Sequence, residues 1–212
     1  MVARFERKLA GLGRYHYEIF YQNQLMGQVL FEQAPIGHLN LSGHFSSGSF
    51  RLTGGRAFGP LQWEGKVNRK EAGQFQMNGQ NGIIYNCGEK GSNFFNGIYF
   101  WEFWGQDRVY RAYEVGFGRK GIYYCAWVAD HLAAIISKDM TTRNFESGYT
   151  LYSQEVPIEW MTLMALYWDL TRYPPSRSRN EGHTLNTWQK QLKNKYDPDF
   201  IPRILRQEGE HI

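Results

Sequence analysis

Cysteine is almost missing from this chain: only Cys87 and Cys125 occur in 212 residues. Two cysteines without metal-ligand spacing or a partner motif read as reduced thiols of a cytoplasmic protein, with a disulfide as the alternative. No apolar run reaches the ~20 residues that cross a bilayer. The first residues hold arginines but no apolar h-region, so neither a transmembrane span nor a secretory signal is expected. There is no solenoid-length repeat and no low-complexity segment. His38 and His44 have no third ligand at a useful spacing, so no metal is expected. Gly54-Gly55-Arg56 lacks the Lys-Ser/Thr of a phosphate loop, and Gly116-Phe-Gly118 with Gly121 has no helix after it. Asp130-His131 has no nucleophile motif beside it and reads as a turn. No cofactor is expected.

Aromatic residues and glycine are plentiful instead: aromatics make up 17% and there are 23 glycines. That mixture favours strands and tight turns. The strand readings are Tyr15–Tyr21, Leu25–Glu32, Ser49–Thr53, Phe58–Val67, Gly73–Met77 and Gly82–Cys87, then Phe94–Trp104, Val109–Val128 as a hairpin, Leu132–Lys138 and Tyr149–Tyr152. Gln22-Asn23-Gln24, Gly54-Gly55, Asn78-Gly79, Asn81-Gly82 and Gly118-Arg-Lys-Gly121 read as turns. Ala34–Gly48 reads as a flexible stretch. Phe94–Trp104 is apolar on both alternating faces apart from Glu102, so it is covered on both sides or presents a contact surface.

One stretch departs from this pattern. Val156 to Leu170 predicts a helix over 157–170, with Pro157 at the first position and Glu159 in the first turn. From Trp160 to Leu170 only Thr162 and Asp169 are neither apolar nor aromatic. A helix apolar on every side is buried. Its packing residues are Trp160, Leu163, Met164, Leu166, Tyr167 and Leu170. Pro174 and Pro175 follow it closely.

Both ends read differently from the middle. Residues 1–13 form a basic leader, a short helix or arm packed on the domain, with a membrane-surface helix as the functional alternative. Residues 174–212 are a linker and helical tail in which Leu185, Trp188 and Leu192 share a face that docks on the domain, with binding of a partner as the alternative, and Asp197–Pro202 ends that helix.

About a dozen strands and one late buried helix predict a mainly β fold. The expected architecture is an about twelve-stranded antiparallel closed β-barrel, residues 14–173, around a central hydrophobic α-helix. Tyr113-Glu-Val-Gly116, Gly121-Ile-Tyr-Tyr124, Ala133–Lys138, Tyr149 and Ile158–Leu170 resemble the closing strands and central helix of the tubby C-terminal-like superfamily. That group includes tubby domains, phospholipid scramblases and LURP-one-related proteins. Tyr17–Tyr21 and Gly27-Gln-Val29 resemble its opening hairpin, so the resemblance covers roughly residues 14–172. It implies a barrel around a helix and, for some members, phosphoinositide or phospholipid contacts through surface Lys and Arg. The scramblase calcium segment, a palmitoylation cluster and a C-terminal membrane helix have no counterpart here.

The formal net charge is +4 and the pI about 9.0. The expected function is a non-enzymatic binding module that meets anionic phospholipid or an acidic protein partner through Arg119, Lys120, Lys138 and Arg143. The alternative is a structural protein that forms homo-oligomers through the aromatic strand faces. A small-ligand carrier or an enzyme ranks below both because the helix occupies the lumen. Nucleic acid is disfavoured, since aromatic-rich strands are usually core.

Overall fold

A computed structural model describes residues 1–9, 15–31, 38–46, 48–55, 67–89, 97–105, 107–139, 147–172 and 185–209. Twelve strands account for most of them: β1 (Val2–Leu9), β2 (Tyr15–Tyr21), β3 (Gln24–Phe31), β4 (His38–Phe45), β5 (Gly48–Gly55), β6 (Val67–Met77), β7 (Gln80–Glu89), β8 (Ile98–Trp104), β9 (Val109–Gly116), β10 (Ile122–Val128), β11 (His131–Lys138) and β12 (Ser147–Ser153). Helices α1 (Ile158–Arg172), α2 (Lys190–Lys193) and α3 (Phe200–Gly209) follow. Each strand pairs antiparallel with its neighbours in sequence, and β1 closes the ring against β12. The expected closed barrel is therefore the fold.

The ring has to close because an open sheet leaves two unpaired edges. Here the first strand supplies the closure. Val2–Leu9 is not a leader or a helix: it pairs with β2 on one side and β12 on the other. Its alternation explains this. Ala3, Phe5 and Arg7 are buried inside, whereas Arg4, Glu6 and Lys8 face outward. Two edges waiting to be paired outweigh the weak local preference of a short basic segment for helix.

Inside the ring lies α1, with Met161 to Leu170 all buried. Its side chains reach the wall on many sides. Trp160 meets Phe75 on β6 and Tyr110 on β9, at ring distances of 5.2 and 4.9 Å. Tyr167 packs edge-on against Phe103 on β8. Trp168 stacks on Tyr124 of β10 and tilts against Tyr149 of β12. Leu163, Met164, Leu166 and Leu170 fill the space between. Each large side chain so buried contributes roughly 2 kcal/mol. The helix begins one residue later than expected, because the Pro157 carbonyl accepts from the Met161 amide at 3.1 Å and so stands at the cap. It runs on to Arg172.

The strands differ from expectation in three further places. His38–Phe45, within the stretch read as flexible, is β4. Gly54 and Gly82 lie within strands rather than at turns. A Cβ at Gly82 would sit 2.1 Å from the Phe75 ring, and one at Gly54 would sit 2.8 Å from the Ala72 carbonyl oxygen. Both mark close approach, not a change of direction. Turn geometry sits instead at Gln22-Asn23 and Asn78-Gly79, all with positive φ. The strand read at Phe58–Val67 lies almost wholly outside the described residues.

The outer wall is of two kinds. On β1 to β6 it is mostly polar, carrying Arg4, Glu6, Lys8, Glu18, Arg51 and Gln74, with Leu30 of β3 exposed among them. An apolar lumen inside a charged wall is the reverse of a lipid-spanning barrel. Among the described residues no helix is long and apolar enough to cross a membrane. On β7 to β12 the wall carries an apolar cluster on which the C-terminal segment lies, with Glu102 and Arg111 paired beside it.

Candidate functional site

The two ends of the barrel are unlike. At the end where α1 begins, β2–β3, β6–β7 and β10–β11 are joined by two-residue turns. At the end where α1 finishes, the connections before β2, β4, β6, β8 and β12 are longer. The ionic groups of the interior gather at this second end. Asp169 accepts from Arg7 Nη1 at 2.6 Å, from the Tyr17 hydroxyl at 3.1 Å, and from the Tyr149 hydroxyl. Arg7 Nη2 also donates to Ser147 Oγ at 3.0 Å. Lys138 Nζ donates to Ser147 Oγ and to the Tyr149 hydroxyl, both at 3.3 Å, and stands 4.6 Å from the centre of the Tyr149 ring.

The cluster has a clear electrostatic logic. Burial by itself depresses the Arg7 guanidinium, but Asp169, Tyr17 and Tyr149 outweigh it, and Arg7 titrates above its ordinary value. The last turn of α1 presents the negative end of the helix dipole to these two cations. Lys138 is different. Burial pushes its ammonium down to about 8, and the Asp169 charge restores only part of the loss. Strands β1, β2, β11 and β12 and helix α1 each supply a member, so the cluster ties the central helix to the two sides of the β1–β12 closure. A second ionic group stands beside it. Glu114 of β9 accepts from Trp168 Nε1 at 2.9 Å and from Arg172 Nε at 2.8 Å.

Lys138 is thus not a surface contact. It is 7% exposed and points into the lumen, because strand alternation places it on the same face as Ala134 and Ile136. Arg143 lies outside the described residues. Arg119 and Lys120 are exposed, on a short 3-10 turn between β9 and β10. The six central-helix residues named from the sequence are all in the lumen. Asp130-His131 sits at a turn, where His131 Nε2 meets Glu155 at 2.7 Å. His44 is exposed on β4. Among the described residues no three His, Cys, Asp or Glu side chains gather as a metal site. Cys87 and Cys125 are free and buried, on β7 and β10. Three strand spacings, about 14 Å, separate those strands, twice the reach of a disulfide.

Beside Arg119 and Lys120 runs the segment after the central helix. It is extended there rather than helical. Gly118 N donates to the Leu185 carbonyl at 2.8 Å, and Thr187 N to the Gly116 carbonyl at 2.9 Å. Thr187 Oγ1 accepts from Gly116 N in return. Extended alternation turns Thr187 in and Trp188 out, so Trp188 does not share a docked face with Leu192. It is 83% exposed. Gln189 Nε2 then donates to the Gly97 carbonyl at 2.9 Å, two residues before the exposed Tyr99. Arg119, Lys120 and Trp188 are thus exposed along this part of the rim.

The sequence reading missed Arg7 and the exposure of Trp188. A signal for Arg7 was present: a carboxylate in an otherwise apolar buried helix requires a cation from the wall. Trp188 gave none, since its orientation depends on pairing with Gly116. The aromatic strand's Glu102 is held on the outer wall by Arg69 Nε at 2.6 Å, Arg111 Nε at 3.1 Å and Trp104 Nε1 at 2.9 Å. Comparison with protein-family models, curated proteins and solved structures gives no match for this chain.

Proposed function

We propose that this chain is a divergent member of the tubby C-terminal-like superfamily that acts as a non-catalytic binding module for anionic phospholipid surfaces. One observation carries the lipid reading: Trp188, 83% exposed, held by backbone pairing beside Arg119 and Lys120 on the barrel rim. Tryptophan is the side chain most at home at the boundary between headgroups and acyl chains. A basic residue near an anionic bilayer contributes about 1 kcal/mol. Arg119 and Lys120, with Lys190 two residues beyond Trp188, supply that attraction, and Trp188 supplies a short apolar anchor. The family reading is supported by the run of twelve consecutive antiparallel strands before a helix that fills their lumen. The filled lumen leaves the rim and outer wall as the accessible surfaces.

Co-sedimentation with vesicles tests the lipid reading. The chain should pellet with vesicles rich in phosphatidylserine and stay in solution with phosphatidylcholine alone. Arg119→Glu with Lys120→Glu should abolish pelleting, and Trp188→Ala should weaken it several-fold. Equal partition onto both vesicle types, or onto neither, overturns the proposal.

A further inference from the structure

One outward row of side chains crosses the barrel from β9 to β1. Tyr113 stands opposite Cys125, Cys125 opposite Ile135, Ile135 opposite Tyr152, and Tyr152 opposite Val2. Each packs into the apolar cluster of the outer wall, together with Phe200 and Ile204 of α3. The row beside it is polar near β1: Ser137, Thr150 and Arg4 stand opposite one another, and Arg4 Nη1 donates to Thr150 Oγ1 at 3.1 Å. A sheet face turned to water ordinarily carries polar residues, so the apolar row is a stripe that has to be covered. The chain covers it itself. The Lys195 ammonium stands 4.7 Å from the centre of the Tyr113 ring, and Trp127 Nε1 donates to the Lys195 carbonyl at 3.0 Å. Phe200 and Ile204, four residues apart and both buried, then form one face of α3, which lies against β12 and β1. A segment that starts beside Gly116 of β9 thus ends across the closure of the barrel.

That closure is the weak junction of the ring. Every other junction joins strands consecutive in sequence, whereas β1 and β12 have the rest of the barrel between them. Bringing such distant segments together costs the most chain entropy. Each end of the β1–β12 pairing is pinned by a different device. At one end Arg7 stands opposite Ser147, and Asp169 of α1 holds Arg7 from inside the lumen. At the other end Val2 stands opposite Tyr152, and both pack into the cluster that α3 completes from outside. The two pins differ in kind. After Thr187 the C-terminal segment makes no backbone–backbone bond to the wall among the described residues. An element held by side chains alone opens at a lower free energy than the paired sheet beneath it.

We propose that residues 185–209 form a releasable clasp on the barrel closure. While α3 is seated, the Val2–Tyr152 end of the seam is shut. When α3 lifts, that end opens first, and the Arg7–Asp169 cluster holds the other end. The clasp acts within one chain and needs no ligand. It goes beyond the lipid reading and does not depend on it.

Two measurements on the full chain test this. Labelling of the Cys125 thiol, followed by mass spectrometry, reports lifting of the clasp, because Cys125 is buried in the covered row. Hydrogen exchange resolved by residue reports the seam. Phe200→Ser with Ile204→Ser should speed labelling of Cys125. It should also accelerate exchange at Val2–Arg4 and Thr150–Tyr152 roughly tenfold or more, since it removes two buried side chains from over that end. Amides around Arg7 and Ser147, and those of β4 and β5, should keep their wild-type rates. Ile204→Ala should give the same pattern in smaller degree, and Leu205→Ser, on the exposed side of α3, should change neither reading. Faster labelling without faster exchange at the Val2 end overturns the proposal, as does labelling that stays at the wild-type rate. Acceleration that is equal in every strand also overturns it, because the segment would then be an ordinary stabiliser of the whole barrel. Circular dichroism establishes folding, and failure of both α3 variants to fold counts against the proposal in the same way.

Discussion

Asp169 carries a negative charge into an interior that is otherwise almost entirely hydrocarbon and ring. It is tolerated because Arg7, Tyr17 and Tyr149 all donate to it. Removing one partner of a buried ion pair costs far more than the pair contributes, about 3–5 kcal/mol. Asp169→Asn should lose stability on that scale in urea denaturation, whereas Asp169→Leu combined with Arg7→Met should recover much of the loss. Lys138 obeys the opposite sign. Its folded pKa, about 8, lies below the ordinary 10.5, so between those values the unfolded chain holds the proton and the native chain has released it. Stability from this group therefore rises with pH across that window. Below about pH 8 the buried ammonium is a standing penalty. Lys138→Met should raise Tm at pH 7, and the gain over wild type should fade towards pH 10.5. Of these residues, Asp169 stood out in the sequence as a polar exception. Lys138 did not, because a strand-end lysine looks the same whether it faces water or the lumen until the neighbouring registers are known.

At the scale of elements, α1 was the most legible. Eleven residues with only Thr162 and Asp169 breaking the apolar run leave no wet face, and Thr162 hides its hydroxyl by donating to the Ile158 carbonyl at 2.8 Å. Leu166→Asp would place a carboxylate without a partner in the lumen. It should abolish the cooperative thermal transition, while Gln74→Asp, on the outer wall of β6, should leave Tm nearly unchanged. Turns were legible only where they needed positive φ, as at Asn78-Gly79. The same Asn-Gly pattern at Asn81-Gly82 misleads, because there the glycine makes room for the Phe75 ring. Helix α3 was hidden by Pro198 before it and Pro202 within it. Pro202 falls in its first turn, where a missing N–H costs little. Asp197 accepts from the Asp199 amide at 2.9 Å and pairs with Arg203 at 2.7 Å, which starts a helix where the sequence reading had ended one.

For the whole molecule, closure rests on β1. Its pairing with β12 runs from Val2 to Arg7, and Met1 adds its amine to the Ser153 carbonyl and to Glu208, each at 2.9 Å. A chain lacking residues 1–9 would expose the edges of β2 and β12 and lose Arg7 from beneath Asp169. It should self-associate through those edges, seen as a shift to high mass in size-exclusion chromatography. Barrel closure was legible from strand count and the buried helix together. The strand that performs it was not, because a pairing between residues 2 and 152 has no local signature.

That pairing also sets an order in time. A ribosome makes β1 first and β12 only after eleven other strands, and the helix that fills the lumen comes later still. Until β12 and α1 have been made, β1 has no closing partner and the inward side chains have no helix to pack on. Domains whose contacts are this distant in sequence fold slowly. The wall must therefore close around a plug that arrives last.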